Sequence, residues 1–191
     1  MSDVRRAAAM ADSVKDALLA IGVAPDGVDL VCRAHALAME ARIEQLEDDH
    51  HTAYLHPGRS VLILVRDVAH SDPPTLAAGA LLESETDALR VPALQISSQI
   101  GPDVVSILEQ IPAPGDEALL ERLVTLPEAL RLVALAERLD QLRHAHLHPD
   151  RAWWAVIHEE TTRAWLPVAE RTHARLAQRY RHWQRTFARR L

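Results

Sequence analysis

Apolar residues recur along most of this chain at intervals of three and four, which is the spacing of one face of an α-helix. One such stripe covers residues 4 to 21 and a second covers Val28 to Leu46. Gly22 and the sequence Pro25-Asp26-Gly27 separate them and predict a turn. No pair of alternating strands, internal repeat or linker interrupts the pattern. We therefore predict an all-α protein whose residues 1–191 form a single helical bundle of about eight or nine helices.

Proline and glycine mark the ends of the later helices. His56-Pro57 predicts a helix start, since proline suits the first helical position, where no amide donor is needed. Ser71-Asp72-Pro73-Pro74 is a second start signal, and the sequence from Pro112 to Gly115 is a stop. The pattern predicts these further helices: Pro74 to Leu82, Gly101 to Ile111, Asp116 to Leu126, Pro127 to His146, and one or two between Pro149 and Leu191.

The amino-acid composition says more about the cellular environment of the protein than about its function. The 191 residues carry a net charge of -6, which disfavours non-specific nucleic-acid binding. Cys32 is the only cysteine, so no internal disulfide can form, and this is typical of a reducing cytoplasm. No apolar run is long enough to cross a membrane. Arginine almost replaces lysine, as in proteins from bacterial genomes of high GC content, so we expect a cytoplasmic bacterial protein without membrane contact.

Four residues have the chemistry of a hydrolytic metal centre. His56 lies where a loop enters a helix, and Glu83 and Asp87 are four residues apart, so they would share a face if the preceding helix continued. Glu137 lies inside the apolar run LVALAERL, where a carboxylate is costly unless it is paired or binds a cation. One imidazole and three carboxylates suit Mn²⁺ or Mg²⁺ better than zinc. The alternative is that these are a loop histidine, helix-end charges, and a Glu137 paired with a neighbouring arginine, with no cofactor at all.

Five segments, in order, resemble the hydrolase domain of the RelA/SpoT alarmone enzymes, which belong to the HD superfamily. They extend from about Val28 to Arg171 and include His56-Pro57 before an apolar helix. The others are DPPTLAAGALL at 72–82, IGPDVVSILEQI at 100–111, LVALAERLDQLR at 132–143 and HEETTRAWLPVAER at 158–171. The resemblance implies a helical domain of the small single-domain type and a metal-dependent hydrolysis of (p)ppGpp.

The family's functional residues match this chain unevenly. Its first metal-binding histidine corresponds to His56, but its defining His-Asp pair corresponds to Glu83-Ser84. Its water-positioning acidic pair corresponds to Asp87 and Ala88, and its late metal-binding aspartate corresponds to Glu137. The asparagine that follows becomes Gln141, and Glu47 stands near the position of an expected arginine.

Two functions therefore stay open. The first is a degenerate domain, catalytically silent or strongly altered, that binds a ligand or a protein. The second is a divergent metal-dependent phosphohydrolase, in which His56, Glu83 and Glu137 hold the ion and Asp87 orients water. In either case the resemblance implies a nucleotide or another phosphorylated small molecule as the ligand.

Histidines accompany the candidate site on both sides. His50 and His51 follow Asp48 and Asp49, and this group is interpreted either as a solvated loop or as a second metal site. His144, His146 and His148 lie at a predicted helix end, where they complement the helix dipole.

The last segment, about 160–191, predicts a basic amphipathic helix. Leu176, Tyr180, Trp183 and Phe187 form its apolar stripe, and arginines dominate its other face. Such a stripe covers either the chain's own core or a second subunit, so a homodimer through the C-terminal helices is one interpretation.

Overall fold

The computed structural model describes residues 3–46, 50–112 and 118–191. These residues form only helices, turns and irregular segments, which confirms the all-α prediction. The helices are α1 (Asp3–Ala20), α2 (Pro25–Gln45), α3 (His56–Val68), α4 (Pro73–Leu81), α5 (Ala93–Gln99), α6 (Pro102–Gln110), α7 (Leu119–Thr125), α8 (Glu128–His144), α9 (Arg151–Glu160), α10 (Leu166–Thr172) and α11 (Ala174–Phe187).

Helix α4 lies at the centre of the bundle and contacts α2, α3, α6 and α8. Its sequence, PPTLAAGAL, carries no charge, and residues 75–81 are all buried. The helix begins where the sequence predicts, because the Asp72 side chain accepts a hydrogen bond from the Thr75 amide at 3.0 Å. It ends at Leu81, with Leu82 as its C-cap. The chain therefore leaves the helix immediately before Glu83.

A glycine lets α3 and α4 approach each other closely. A Cβ atom added to Gly79 would lie 2.5 Å from Cδ1 of the fully buried Leu64. That distance is well inside van der Waals contact, so the helices must separate or Leu64 must move if any side chain stands there. The contact fixes the helix that leads into the candidate site against the helix that carries His56.

The C-terminal segment forms two helical rods rather than one helix over 160–191. Helices α9 and α10 are continuous through a π-helical turn, Thr161–Trp165, which lies just before Pro167. Proline lacks the amide and clashes with the carbonyl one turn earlier, so it accounts for the widened turn. The chain then breaks at His173, and α11 follows.

The apolar stripe of α11 is buried in the chain's own core. Tyr180 Oη donates to the Leu135 carbonyl at 2.8 Å, and Trp183 Nε1 donates to the Leu142 carbonyl at 2.6 Å. These bonds fasten α11 to α8 while the two rings fill space between the helices. A homodimer stays a prediction, and it would have to use surface other than this stripe.

Two boundaries differ from the sequence-based expectation. Pro25-Asp26-Gly27 does not form a separate turn; Pro25 instead occupies the first position of α2. Helix α8 stops at His144, and a 3-10 turn, Ala145–Leu147, follows. The predicted stop at Pro114-Gly115 and the predicted helix start at Asp116 lie outside the described residues.

Among the described residues, no helix is both long and apolar enough to cross a membrane.

Candidate functional site

Three parts of the fold meet at the candidate site. The start of α3 supplies His56 and Arg59, and the segment after α4 supplies Glu83 and Ser84. Helix α8 crosses beneath them and presents three polar side chains from consecutive turns of one face, because residues three and four apart are neighbours on a helix. These side chains are Glu137, Asp140 and Gln141.

His56 is held by a carboxylate that sequence analysis did not single out. Its Nδ1 lies 2.8 Å from Oδ2 of Asp140, and both side chains are buried. Burial lowers the pKa of His56, but the hydrogen bond and charge of Asp140, with Glu137 and Glu83 nearby, outweigh it and leave the pKa raised. Nε of Arg59 donates to both oxygens of Asp140, at 2.8 and 3.0 Å. Asp140 is therefore shared between an imidazole and a guanidinium group.

Glu83 forms a buried ion pair with Arg42. Nη2 of Arg42 lies 2.7 Å from Oε2 of Glu83, and the two side chains are only 2% and 4% exposed. The other oxygen, Oε1, accepts hydrogen bonds from the amides of Glu85 and Thr86, both at 3.1 Å. Both oxygens of Glu83 are thus already bonded within the chain.

Arg42 is equally well satisfied. Its Nε donates to the Ala53 carbonyl at 2.9 Å, and its Nη1 donates to the Ala38 carbonyl at 3.0 Å. The guanidinium group thereby joins α2, the segment before α3 and the segment after α4. A buried charge is tolerated only when it is paired and hydrogen-bonded in this way.

Glu137 accepts three hydrogen bonds at one oxygen. Ser84 donates through its hydroxyl at 2.5 Å and its amide at 3.1 Å, and Gln141 Nε2 donates at 2.6 Å. Burial raises the pKa of Glu137 to about 7, although His56, Ser84 and Arg138 oppose that rise. Ser84 and Gln141 therefore both bind the Glu137 carboxylate.

The structure brings His56, Glu83 and Glu137 together but not Asp87. All three side chains are buried; Ser84, next to Glu83 in the chain, bonds to Glu137, and Asp140, one turn after Glu137 on α8, bonds to His56. Asp87 begins a 3-10 turn, Asp87–Leu89, with a carboxylate that is 90% exposed and lies 3.1 Å from Arg90. Because α4 ends at Leu81, the helix does not continue through Glu83 and Asp87, and the two residues do not share a helical face.

Arg138 forms a second polar centre beside the cluster. It pairs with Glu85 at 3.0 Å and Glu160 at 2.9 Å, and its guanidinium carbon lies 5.6 Å from the centre of the Trp165 ring. Glu83 pairs with Arg42 and not with Arg138. Glu137 pairs with neither Arg138 nor Arg131 among the described residues.

The sequence pattern could have identified Arg42 and Asp140, the two site residues that the sequence analysis missed. Arg42 lies four residues after Ala38 and eight after Ala34, on the buried stripe of α2. Asp140 lies three residues after Glu137 on the buried stripe of α8. A charged residue at a core position of a helix requires a partner, and the same signal identified Glu137.

A cavity of about 390 Å³ opens above this cluster. Histidines and one tryptophan form much of its wall, and the Trp153 ring stacks on His148 with centroids 4.3 Å apart. Nδ1 of His51 accepts from the Ala53 amide at 3.2 Å, so in its neutral ring Nε2 is the donor. Nδ1 of His148 lies 3.2 Å from the Asp150 amide and 3.4 Å from the Asp150 carbonyl. The cavity therefore offers a planar aromatic surface and polar groups suited to a small ligand.

The histidines divide between cavity and helix end. His50, His51, His144 and His148 line the cavity. His146 instead lies 3.1 Å, through Nδ1, from the Arg143 carbonyl at the end of α8. Asp48, Asp49 and Glu47, which entered the sequence-based interpretations, lie outside the described residues.

The side chains as arranged do not form a ready metal site. In the part of the chain that the structure describes, no three His, Cys, Asp or Glu side chains are grouped so as to hold an ion. Arg42 and two amides engage both oxygens of Glu83, and Ser84 with Gln141 engages one oxygen of Glu137. Asp140 engages Nδ1 of His56. An ion at Glu83 would have to compete with these partners.

No family model, no curated protein and no solved structure matches this chain.

Proposed function

We propose that this chain is a ligand-binding module built on a degenerate HD-type domain, with an ion-pair network in place of a metal centre. The Arg42–Glu83 pair carries the proposal. What supports the HD-type origin is the order of five segments that resemble the RelA/SpoT hydrolase domain. What supports the loss of catalysis is that groups of the same chain bond Nδ1 of His56, both oxygens of Glu83 and one oxygen of Glu137.

The electrostatics of the pair oppose metal binding. A divalent cation at Glu83 would approach a guanidinium group held 2.7 Å from the same carboxylate. It would also have to compete with two backbone amides for Oε1. The positive charge that the carboxylate requires is therefore already supplied by the protein itself.

The ligand that suits the cavity is a phosphorylated small molecule with a planar ring, such as a nucleotide. Trp153 supplies a flat surface for the ring. His51 supplies an N–H donor, and Arg59 supplies a positive charge that suits phosphate oxygens. This assignment follows from the cavity's chemistry and from the resemblance together.

A titration of nucleotides into the purified protein in the presence of a chelator tests this function. We expect saturable binding, seen by calorimetry, that is weakened about fivefold or more in Trp153→Ala, since a stacked ring contributes about 1 to 3 kcal/mol. Val156→Ala is the matched control, because Val156 lies on the same helix, is exposed and does not line the cavity. Equal binding by both variants, or no binding of any nucleotide, would reject the assignment.

The second candidate is a divergent metal-dependent phosphohydrolase, and one observation favours it. His56, Glu83 and Glu137 are all buried, and burial raises the pKa of Glu137 to about 7, close to that of a general base. This candidate predicts phosphate release from a nucleotide such as (p)ppGpp in Mn²⁺, lost in Glu137→Ala. Mn²⁺-dependent turnover of that kind would replace the first proposal with the second.

A further inference from the structure

A second cleft, separate from the cavity above, lies where α3, α8 and α11 meet. It encloses about 200 Å³. Helix α3 contributes one whole face, since residues three, four and seven apart share a side of a helix. The lining residues are Arg59, Leu62, Ile63, Arg66, Asp67, Arg143 and Arg179.

Charge in this cleft is strongly one-sided. Four guanidinium groups and a single carboxylate line it, in a chain whose net charge is -6. The carboxylate, Asp67, is 10% exposed and lies 3.0 Å from Nη1 of Arg179, with Arg175 outside it at 3.8 Å. Asp67 thus orients the arginines of α11 but neutralises only one charge.

The other arginines differ in how many hydrogen bonds and ion pairs they already form within the protein. Arg59 is bonded to Asp140 and to the Thr52 carbonyl, so it contributes charge more than free donors. Arg143 lies 3.7 Å from Asp140, beyond hydrogen-bonding distance. Arg66 is exposed and forms no ion pair with any described residue. The cleft therefore retains positive charge and unused N–H donors from two separate helices.

Like charges gathered in one place repel one another, and an anion relieves that repulsion. Guanidinium groups match phosphate oxygens with paired N–H donors, and arginine is the side chain best suited to this geometry. Leu62 and Ile63 add apolar surface to the lining of the cleft. The small volume favours a compact anion rather than a polymer.

We propose that this cleft binds a small multivalent phosphate of the pyrophosphate class, through Arg66, Arg143 and Arg179. The site is distinct from the Trp153 cavity, although Arg59 lines both. Two phosphoryl groups can reach arginines of different helices at once, whereas a single phosphate reaches fewer donors. Pyrophosphate should therefore bind more tightly than orthophosphate.

Isothermal titration with inorganic pyrophosphate, in a chelating buffer, tests the proposal. We expect Arg66→Gln to weaken binding about tenfold and Arg66→Gln/Arg143→Gln to weaken it further, because charge-assisted hydrogen bonds are lost. Arg66 is exposed, so its replacement leaves the fold intact. The control is Arg163→Gln, which makes the same change of net charge. Arg163 is 78% exposed, pairs with Glu159 and does not line the cleft.

The controls separate this site from the proposed function. Trp153→Ala should leave pyrophosphate binding unchanged even if it abolishes nucleotide binding. Equal weakening by Arg66→Gln and Arg163→Gln would show a general charge effect and overturn the site. Equal affinity for orthophosphate and pyrophosphate would overturn the multivalent assignment, and so would binding of an RNA oligonucleotide that pyrophosphate in excess does not displace.

Discussion

Replacing Arg42 by methionine should destabilise this protein more than the loss of an ordinary salt bridge does. The two charges lie 2.7 Å apart, which corresponds to an attraction of about 6 kcal/mol at an effective dielectric constant of about 20. Desolvation of both ions offsets most of that attraction, so the intact pair contributes little net stability. Arg42→Met removes the attraction but leaves the Glu83 carboxylate buried, so we expect a loss of about 3 to 5 kcal/mol in the free energy of unfolding.

A double-mutant cycle measured by urea denaturation at 25 °C isolates this interaction. Glu83→Gln keeps the shape of the side chain and the acceptor for the Glu85 and Thr86 amides but removes the charge. Arg42→Met/Glu83→Gln should therefore recover a large part of the loss, with a coupling energy of about 2 kcal/mol or more. A domain stability of 5 to 15 kcal/mol, typical of globular proteins at about this size, leaves each variant measurable.

The control is Arg163→Met, which breaks an exposed pair with Glu159 at 3.5 Å and should cost at most about 1 kcal/mol. A loss below about 1 kcal/mol in Arg42→Met, or strictly additive effects in the cycle, would refute the reasoning, because Glu83 would then not depend on Arg42 for its charge.

Three further changes test other parts of the account. Because burial raises the pKa of Glu137 to about 7, the folded state binds this proton more tightly than the unfolded state, and Glu137 lowers the stability as pH rises from about 4.5 to 7. Glu137→Gln should flatten that part of a curve of unfolding free energy against pH, and an unchanged slope would contradict the prediction. Gly79→Ala should cost about 1 to 3 kcal/mol by overpacking Leu64, despite a gain in helix propensity of about 1 kcal/mol, and a more stable variant in thermal unfolding would disprove the close contact. Tyr180→Phe should cost about 1 kcal/mol in urea unfolding by removing the buried hydrogen bond to Leu135, whereas no change would show that α11 is held by apolar contact alone.

Helical periodicity and end signals predicted most of the fold. Asp72 with Pro73 began α4 as expected, and His56-Pro57 began α3. The C-terminal ends of the helices were harder to predict, because a helix ends where other contacts become more favourable than its own hydrogen bonds. The chain after Leu82 leaves the helix so that Glu83 can accept two backbone amides and Arg42, and no local pattern shows that choice.

The roles of His56, Glu83 and Glu137 as metal ligands stay a prediction. The structure shows that all three side chains are buried, and it shows partners for them that the sequence did not reveal. Arg42 and Asp140 were missed because they come from distant parts of the chain, and only the folded structure shows which buried charges meet.

Titration of Mn²⁺ into the metal-free protein, followed by the electron paramagnetic resonance signal of the free ion, tests the central claim most directly. If an ion-pair network has replaced the metal centre, the signal of free Mn²⁺ should rise with added Mn²⁺ in the protein solution as it does in buffer. Added Mg²⁺ should then leave this signal unchanged. Stoichiometric loss of the free signal at micromolar Mn²⁺, abolished by His56→Ala and by Glu83→Gln, would contradict the claim and establish a metal centre at this site.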